Sequence, residues 1–478
     1  MDSLVVALDI GTSSVRAIAF DTQGRKVGQE AQIPYSQTTL PDGGVEIGAD
    51  VLLDLLGRCL DQLLPNLKQP VGAVATSCFW HSLMAVNDDG APQTAVISWA
   101  DNRAAAWIAS LRRVLDEDEC HARLGCVFHT SYWPAKLLWL RDERPELFKS
   151  PLKWMGFGEY LGLKWCGEAR VSLAMASGTG LFHQNKCEWD DDMVSHLPIE
   201  CAQLPPFDAE LPPLTSDLAA RWPQLAQARW FTAIGDGACS NIGSGCADET
   251  RIGLNAGTSG AMRVVLRDFT GAPPRGLWRY RVDENRSIVG GALSNAGNVL
   301  DWTRHNFRLP DDWQAQIPMM KPDAHGLTVL PFLAGERAPL WNGDARFALA
   351  GASLDTEPIT VMRAVLESAA LRFAAIGTLL LELAPDAEII FSGGVLEGIP
   401  PWQAILCDAL GAPLTGSREH EASARGAALL ALEHLGAVED AAHVPFERGE
   451  HLAPDAANHQ VYRRALERQN ALYGKIYG

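Results

Sequence analysis

Two stretches about half the chain apart read as the same unit. Residues 4–20 run LVVAL, DIGTSS, VRAIAF, and residues 251–266 run RIGLNAGTSGAMRVVL. Each is a short apolar, β-branched strand, a polar tight turn built on Gly-Thr-Ser, and a second apolar strand. Repetition at that separation predicts two related halves, each opening on the same hairpin. Polar residues between buried strands are costly unless the turn has a task.

Glycine-rich turns after strands present backbone N–H groups, and such groups suit a phosphate. Three turns qualify: 9–14 (DIGTSS), 255–260 (NAGTSG) and 392–394 (SGG). The chain has no GxxxxGK[ST] string and no GxGxxG opening a βαβ unit, so P-loop and dinucleotide-binding readings lose their usual support. Two copies of one turn opening two halves, with a third later, point to a nucleotide clamped between domains.

The intervening sequence alternates strand-like and helical runs. VGAVATSC (71–78) predicts a strand and ADNRAAAWIASLRRVL (100–115) a helix. A proline-rich, weakly periodic stretch at 198–223 predicts an irregular crossing ahead of a domain boundary, which divides the chain into 1–242 and 243–478. Beyond it, 359–384 predicts a long amphipathic helix, 388–395 a buried strand entering a glycine turn, and 402–411 the next helix. The fold class is α/β in two domains.

Composition narrows the partners. Of 478 residues, 47% are apolar, and the net charge is −18. That balance argues against a sequence-independent grip on nucleic acid, which needs a basic surface. An anionic substrate would require a pocket that is locally positive against this background. The ten cysteines show no CxxC pair and the histidines no HExxH spacing, which favours reduced thiols over disulfides or zinc. The start, MDSLVVALDIG, lacks a basic segment before its short apolar run, and no stretch reads as the ~20 apolar residues of a membrane span. A soluble cytoplasmic enzyme with no membrane partner is expected, and a homodimer is left open.

In this setting DIGTSSVRAIAF resembles the first phosphate hairpin of the actin-like ATPase (ribonuclease H-like) superfold, and more narrowly that of the FGGY carbohydrate kinases. The resemblance continues in order through SCFWHSLMAVNDDGAP (77–92), ISWADNR (97–103), ASGTGLF (176–182), IGDGACSNIG (234–243), AGTSG (256–260), GGALSNAGNVLDW (290–302), LPFLAGERAPLWN (330–342), SGGV (392–395) and YRRALERQNALYGKIY (462–477). Ten weak strings in register make a specific pattern. It implies two domains with nucleotide and sugar bound in the cleft between them, and ATP-dependent phosphorylation of a hydroxyl on a small sugar or sugar acid. Within the family, His-Ser-Leu at 81–83, Trp-Ala-Asp-Asn-Arg at 99–103 and Gly-Glu-Arg-Ala-Pro-Leu-Trp at 335–341 are most similar to gluconokinases. Pentulose kinases acting on xylulose or ribulose share much of the set. A non-catalytic sugar sensor or partner-directed ATPase module is the competing reading from another class.

The resemblance also implies roles. Asp236, in Gly-Asp-Gly, matches the catalytic aspartate that accepts the hydroxyl proton; without the family it reads more readily as a turn former. Asp9 would help hold Mg²⁺, with Asp236 nearby, or would simply cap its turn. Gly11, Thr12, Ser13 and Ser14 would serve the γ-phosphate, with Arg16 where gluconokinases usually carry lysine. Gly257, Thr258 and Ser259 would form the opposing loop, and Gly393 and Gly394 the adenosine-side turn. On the sugar side, Trp80 replaces a methionine of the family's Met-His pair and should alter pocket volume, next to His81. Asp101 and Arg103 match an Asp-x-Arg motif, in which the arginine could meet a substrate carboxylate or the pair could merely cap a helix. Lys136 could reach an anion, although a lone lysine is more often solvated. Ala174 stands where the family usually has a polar residue, which should remove a hydrogen bond.

Overall fold

The computed structural model describes residues 3–478. The two hairpins occupy equivalent places in two sheets. In the first, Leu4–Ile10 pairs antiparallel with Ser14–Phe20 and parallel with Val71–Cys78. In the second, Arg251–Ala256 pairs antiparallel with Gly260–Arg267 and parallel with Glu388–Ser392. The repeat read from the Gly-Thr-Ser strings is therefore a repeat of topology.

The first sheet runs Glu210–Leu211, Arg229–Phe231, Val71–Cys78, Leu4–Ile10, Ser14–Phe20, Lys26–Pro34. The second runs Trp278–Arg281, Arg286–Leu293, Gly260–Arg267, Arg251–Ala256, Glu388–Ser392, Leu414–Ser417, Arg448–Leu452. Central strands are buried on both faces, which is why they read as continuous apolar runs rather than alternating ones.

Helices cover both sheets. The 100–115 helix is shorter than expected, spanning Ala105–Val114, because Asp101 is drawn out of it by the backbone N–H of Val45 at 2.9 Å. Between 198 and 223 lie the edge strand Glu210–Leu211 and the short helix Ser216–Arg221. The helix Pro358–Leu383 is the spine of the second core. Contrary to the sequence expectation, its length and mean hydropathy of 1.6 are those of a membrane span, yet 78% of that window is packed inside the protein. Its buried charges are paired within the fold, Arg363 with Glu367 at 2.5 Å and Arg372 with Glu336 at 2.6 Å. All ten cysteines are free.

One helix ties the halves together. Ala422–His434 comes from the second half but packs into the first core, where Ala424, Ala428 and Leu429 join Val6, Leu8 and Ile18. Each fully buried aliphatic side chain there is worth about 1.5–3 kcal/mol. The two sheets thus separate along the chain more cleanly than the two cores do.

Candidate active site

Register brings three chain segments to one point. Asp9 lies opposite Ser77, and the two-residue strand Ile234–Gly235 lies opposite Ser77 and Cys78 on the other side. The strand ends carrying Asp9, Trp80 and Asp236 therefore converge. Asp236 is the first residue of the helix Asp236–Gly243, where the helix dipole favours a carboxylate. Its Oδ1 accepts the Gly237 N–H at 2.8 Å. Burial raises its carboxyl above the usual range, against the opposing charge of Arg263. Burial likewise raises Asp9, although the Arg16 guanidinium donates to it at 3.2 Å.

A cavity of about 350 Å³ opens between the halves. Thr12 of the first hairpin and Ser259 of the second both line it, with Asp236, Trp80 and His81. The first turn is braced from outside, by Tyr35 Oη donating to the Gly11 carbonyl at 2.6 Å and Gln37 donating to that of Thr12 at 3.0 Å. Ser13 is exposed, whereas Ser14 is buried and accepts from Gln32 at 3.2 Å. Arg16 bridges Asp9 and Glu421, and its Nε is buried without a partner. The second turn is held by the next helix, because Gly297 and Asn298 donate to the carbonyls of Gly257 and Thr258 at 2.9 and 3.1 Å. Gly393 lies alongside at φ 113°, where a Cβ would sit 2.4 Å from the Ala256 carbonyl oxygen. Gly394 begins a short helix, Gly394–Glu397, ahead of the expected one.

The sugar-side residues need three corrections. Asp101 and Arg103 do not line the cavity. Asp101 is fully buried and takes both the Arg103 guanidinium, at 2.6 Å, and the Val45 N–H. Arg103 also meets Glu46 at 2.5 Å and stacks on Trp139, so its planar fork is consumed within the protein. The pair fixes the loop that brings Trp99 to the cavity wall.

Lys136 is not solvated. Its ammonium is buried and donates to the carbonyls of His81, Ser98 and Ser131, each at 2.9 Å. Burial lowers it to about 7. Lys136→Met should leave the His81 and Ser131 carbonyls without a donor, the Ser98 carbonyl keeping the Asp101 N–H at 3.3 Å, and lower stability by about 3 kcal/mol. Thermal unfolding would check this, and an unchanged transition would show that the carbonyls find other donors.

Trp80 and Ala174, two separate departures in sequence, meet in space. The Trp80 indole N–H donates to the Ala174 carbonyl at 2.9 Å, so the hydrogen bond expected to be missing there is made by backbone. The Trp80 ring fills the room left by glycine. A Cβ at Gly235 or Gly237 would lie 1.9 or 2.7 Å from it. Both glycines thus give room to the tryptophan wall.

His81 faces the cavity at φ 66°, an uncommon conformation that functional sites often retain. Its Nδ1 lies 2.5 Å from the Gly178 carbonyl, and burial keeps it neutral, lowered to about 3. That acceptor assigns the proton to Nδ1 and leaves Nε2 able to accept from a hydroxyl. Two further wall residues escaped the sequence reading, Arg263 and Arg337. Arg337 lies within the Gly-Glu-Arg-Ala-Pro string, and Arg263 lies in the second strand of the second hairpin, but neither position by itself signals an open cavity.

Residues 4–234 match the N-terminal domain, and residues 253–433 the C-terminal domain, of the FGGY family of carbohydrate kinases. The chain belongs to this family. It is a carbohydrate kinase, and it uses ATP. It is 28% identical to a gluconokinase of Bacillus licheniformis, over 92% of this chain and 89% of the relative. Among solved structures it is similar to the gluconate kinase of Lactobacillus acidophilus, with TM-score 0.92 and 23% identity over 100% of this chain and 98% of that one. The xylulose kinase of the same organism matches with TM-score 0.93 and 23% identity, over 99% and 98%. Likeness at that identity fixes the fold and does not choose the sugar.

Proposed function

We propose that this FGGY kinase transfers the γ-phosphoryl group of ATP to the terminal hydroxyl of gluconate, giving 6-phosphogluconate, with Asp236 as the base. The observation that carries the chemistry is that Asp236 stands in a cavity bounded by both Gly-Thr-Ser hairpins. Phosphoryl transfer needs a cradle for the phosphates, an oriented hydroxyl and a proton acceptor. We assign the cradle to Gly11, Thr12, Ser13 and Ser14 with Gly257, Thr258 and Ser259, of which Thr12 and Ser259 line the cavity, and to Arg16 beside the first turn. Gly393 and Gly394 take the adenosine side.

Asp236 accepts the hydroxyl proton as the new O–P bond forms and the bond to the β-phosphate breaks, releasing ADP. We assign Oδ2 to that proton, since Oδ1 is engaged by Gly237. His81 and the Trp80 wall orient the acceptor, and closing the cleft would exclude water. Asp9 and Asp236 are buried carboxylates that burial raises despite the separate guanidiniums of Arg16 and Arg263, a donor set that fits Mg²⁺. Bound there, the ion would offset phosphate charge.

The choice of gluconate rests on the gluconokinase relative and on the His81–Arg103 string. In a coupled ADP-release assay, gluconate is expected to give the highest kcat/KM in a panel with xylulose, ribulose and glycerol. A higher value for either pentulose would overturn gluconate and leave the kinase assignment standing.

A further inference from the structure

Burying a cation with its donors unmet is expensive, and elsewhere among the described residues buried cations meet carboxylates or, as at Lys136, Arg279 and Arg281, carbonyls and other neutral acceptors. The guanidinium groups of Arg103, Arg286, Arg363 and Arg372 each meet a carboxylate within 2.6 Å. Arg263 and Arg337 differ. Both line the cleft cavity, each has a buried Nε without a partner, and among the described residues neither forms an ion pair. In a chain of net charge −18, two adjacent unpaired guanidiniums in one cavity mark a place kept for an anion.

The two cations are not equivalent. Arg263 stands at the base end, since a Cβ on Gly237, the residue after Asp236, would lie 3.1 Å from its Nε. Arg337 lies over the Trp99 ring, 5.0 Å from its centre, and donates only to the Leu293 carbonyl at 3.2 Å. Its loop is rigidly held: Glu336 is bound by Arg372 at 2.6 Å, Ala338 N–H by the Ala292 carbonyl at 3.0 Å, and the Gly335 carbonyl by Asn295 at 2.7 Å. A guanidinium fixed this way presents its fork without further ordering cost.

We infer that Arg337 is the receptor for the carboxylate of an open-chain sugar acid, whose reacting hydroxyl lies at the opposite end of the substrate, beside Asp236. The inference rests on the sugar-acid reading above and adds the direction in which the substrate lies. The charges agree with this placement, because Arg263 is felt by Asp236 whereas Arg337 is felt by Tyr132, Tyr280 and Arg263.

The test compares gluconate with sorbitol, which carries a neutral CH₂OH in place of the carboxylate. Arg337→Gln is expected to raise KM for gluconate by about 10–100-fold, the worth of a charged hydrogen bond. Sorbitol turnover and KM for ATP should stay within a few fold. Arg337→Lys, which keeps the charge, should recover part of the loss and guards against a folding defect in the glutamine variant. If the wild type prefers gluconate and Arg337→Gln keeps that preference, the carboxylate binds elsewhere and the inference fails alone. An equal loss of ATP affinity would make Arg337 a phosphate contact, which also overturns it. If the wild type shows no preference for gluconate over sorbitol or xylulose, the sugar-acid reading falls, and this inference with it.

Discussion

Replacing Asp236 by Asn is expected to lower turnover by about 10²–10⁴-fold, the usual contribution of a positioned acid–base group. Asn preserves the shape and the start of the helix Asp236–Gly243 but cannot accept the hydroxyl proton. Affinities for sugar and ATP should stay within a few fold. If the residue only shaped its turn, Asn would serve almost as well. Single-turnover transfer reports the chemical step directly, and retention of more than about a tenth of the wild-type rate would exclude the base role. The pH dependence has a defined sign. Asp236 works as a base only when deprotonated, and burial raises its carboxyl. Turnover should therefore fall as pH drops through a value above the ordinary carboxylate pKa of 3.8. That acidic limb should disappear in the Asn variant.

The second large effect is expected behind the cavity wall, at glycines that do not line it. The helices Asp236–Gly243 and Ala422–His434 cross with backbone against backbone. A Cβ at Gly243 would lie 1.8 Å from the Ala422 carbonyl oxygen, and one at Gly426 would lie 1.9 Å from that of Cys239. Arg425 seals the crossing by donating to the Gly243 carbonyl at 2.6 Å. The obstructing atoms are main chain, so they cannot turn aside as a side chain could. Gly426→Ala must therefore part the helices by roughly 1 Å, an overpacking defect of about 1–3 kcal/mol or more. Because Asp236 begins one of these helices, the same shift should cost up to about 10²-fold in turnover. Thermal unfolding and kcat, measured on one preparation, should fall together. Gly474→Ala is the control: it lies in the helix Ala456–Tyr477 with open space at its Cβ, so alanine there should stabilise slightly. Wild-type stability and turnover in Gly426→Ala would mean that the crossing tolerates a methyl group.

Much of the architecture was legible in one sequence. Each hairpin is local: two apolar runs joined by a polar turn close on themselves, and so 4–20 and 251–266 could be read without the rest of the chain. The strands at 71–78 and 388–392 and the helices near 358–383 and 400–410 were equally plain, because continuous burial or helical periodicity is written in neighbouring residues. The length and order of the family strings carried the family. Asp236 was picked out by the family resemblance and not by its Gly-Asp-Gly setting alone, and both hairpins border the cavity it lines.

What stayed hidden were the partners of charged and aromatic side chains. Arg103 looked free to meet a substrate and is consumed by Asp101, Glu46 and Trp139. Lys136 looked solvated and holds three carbonyls together, while Trp80 and Ala174 proved to be one contact. Arg263 and Arg337 gave no signal, although they supply the positive charge that an anionic substrate would need in so acidic a chain. The sequence by itself determined the strands, turns and helices and their duplication, since those follow from local periodicity and turn chemistry. Only the tertiary structure decided which buried cations are neutralised and which remain open to a ligand, because each partner comes from a distant segment, and a charge's environment is set by what packs around it.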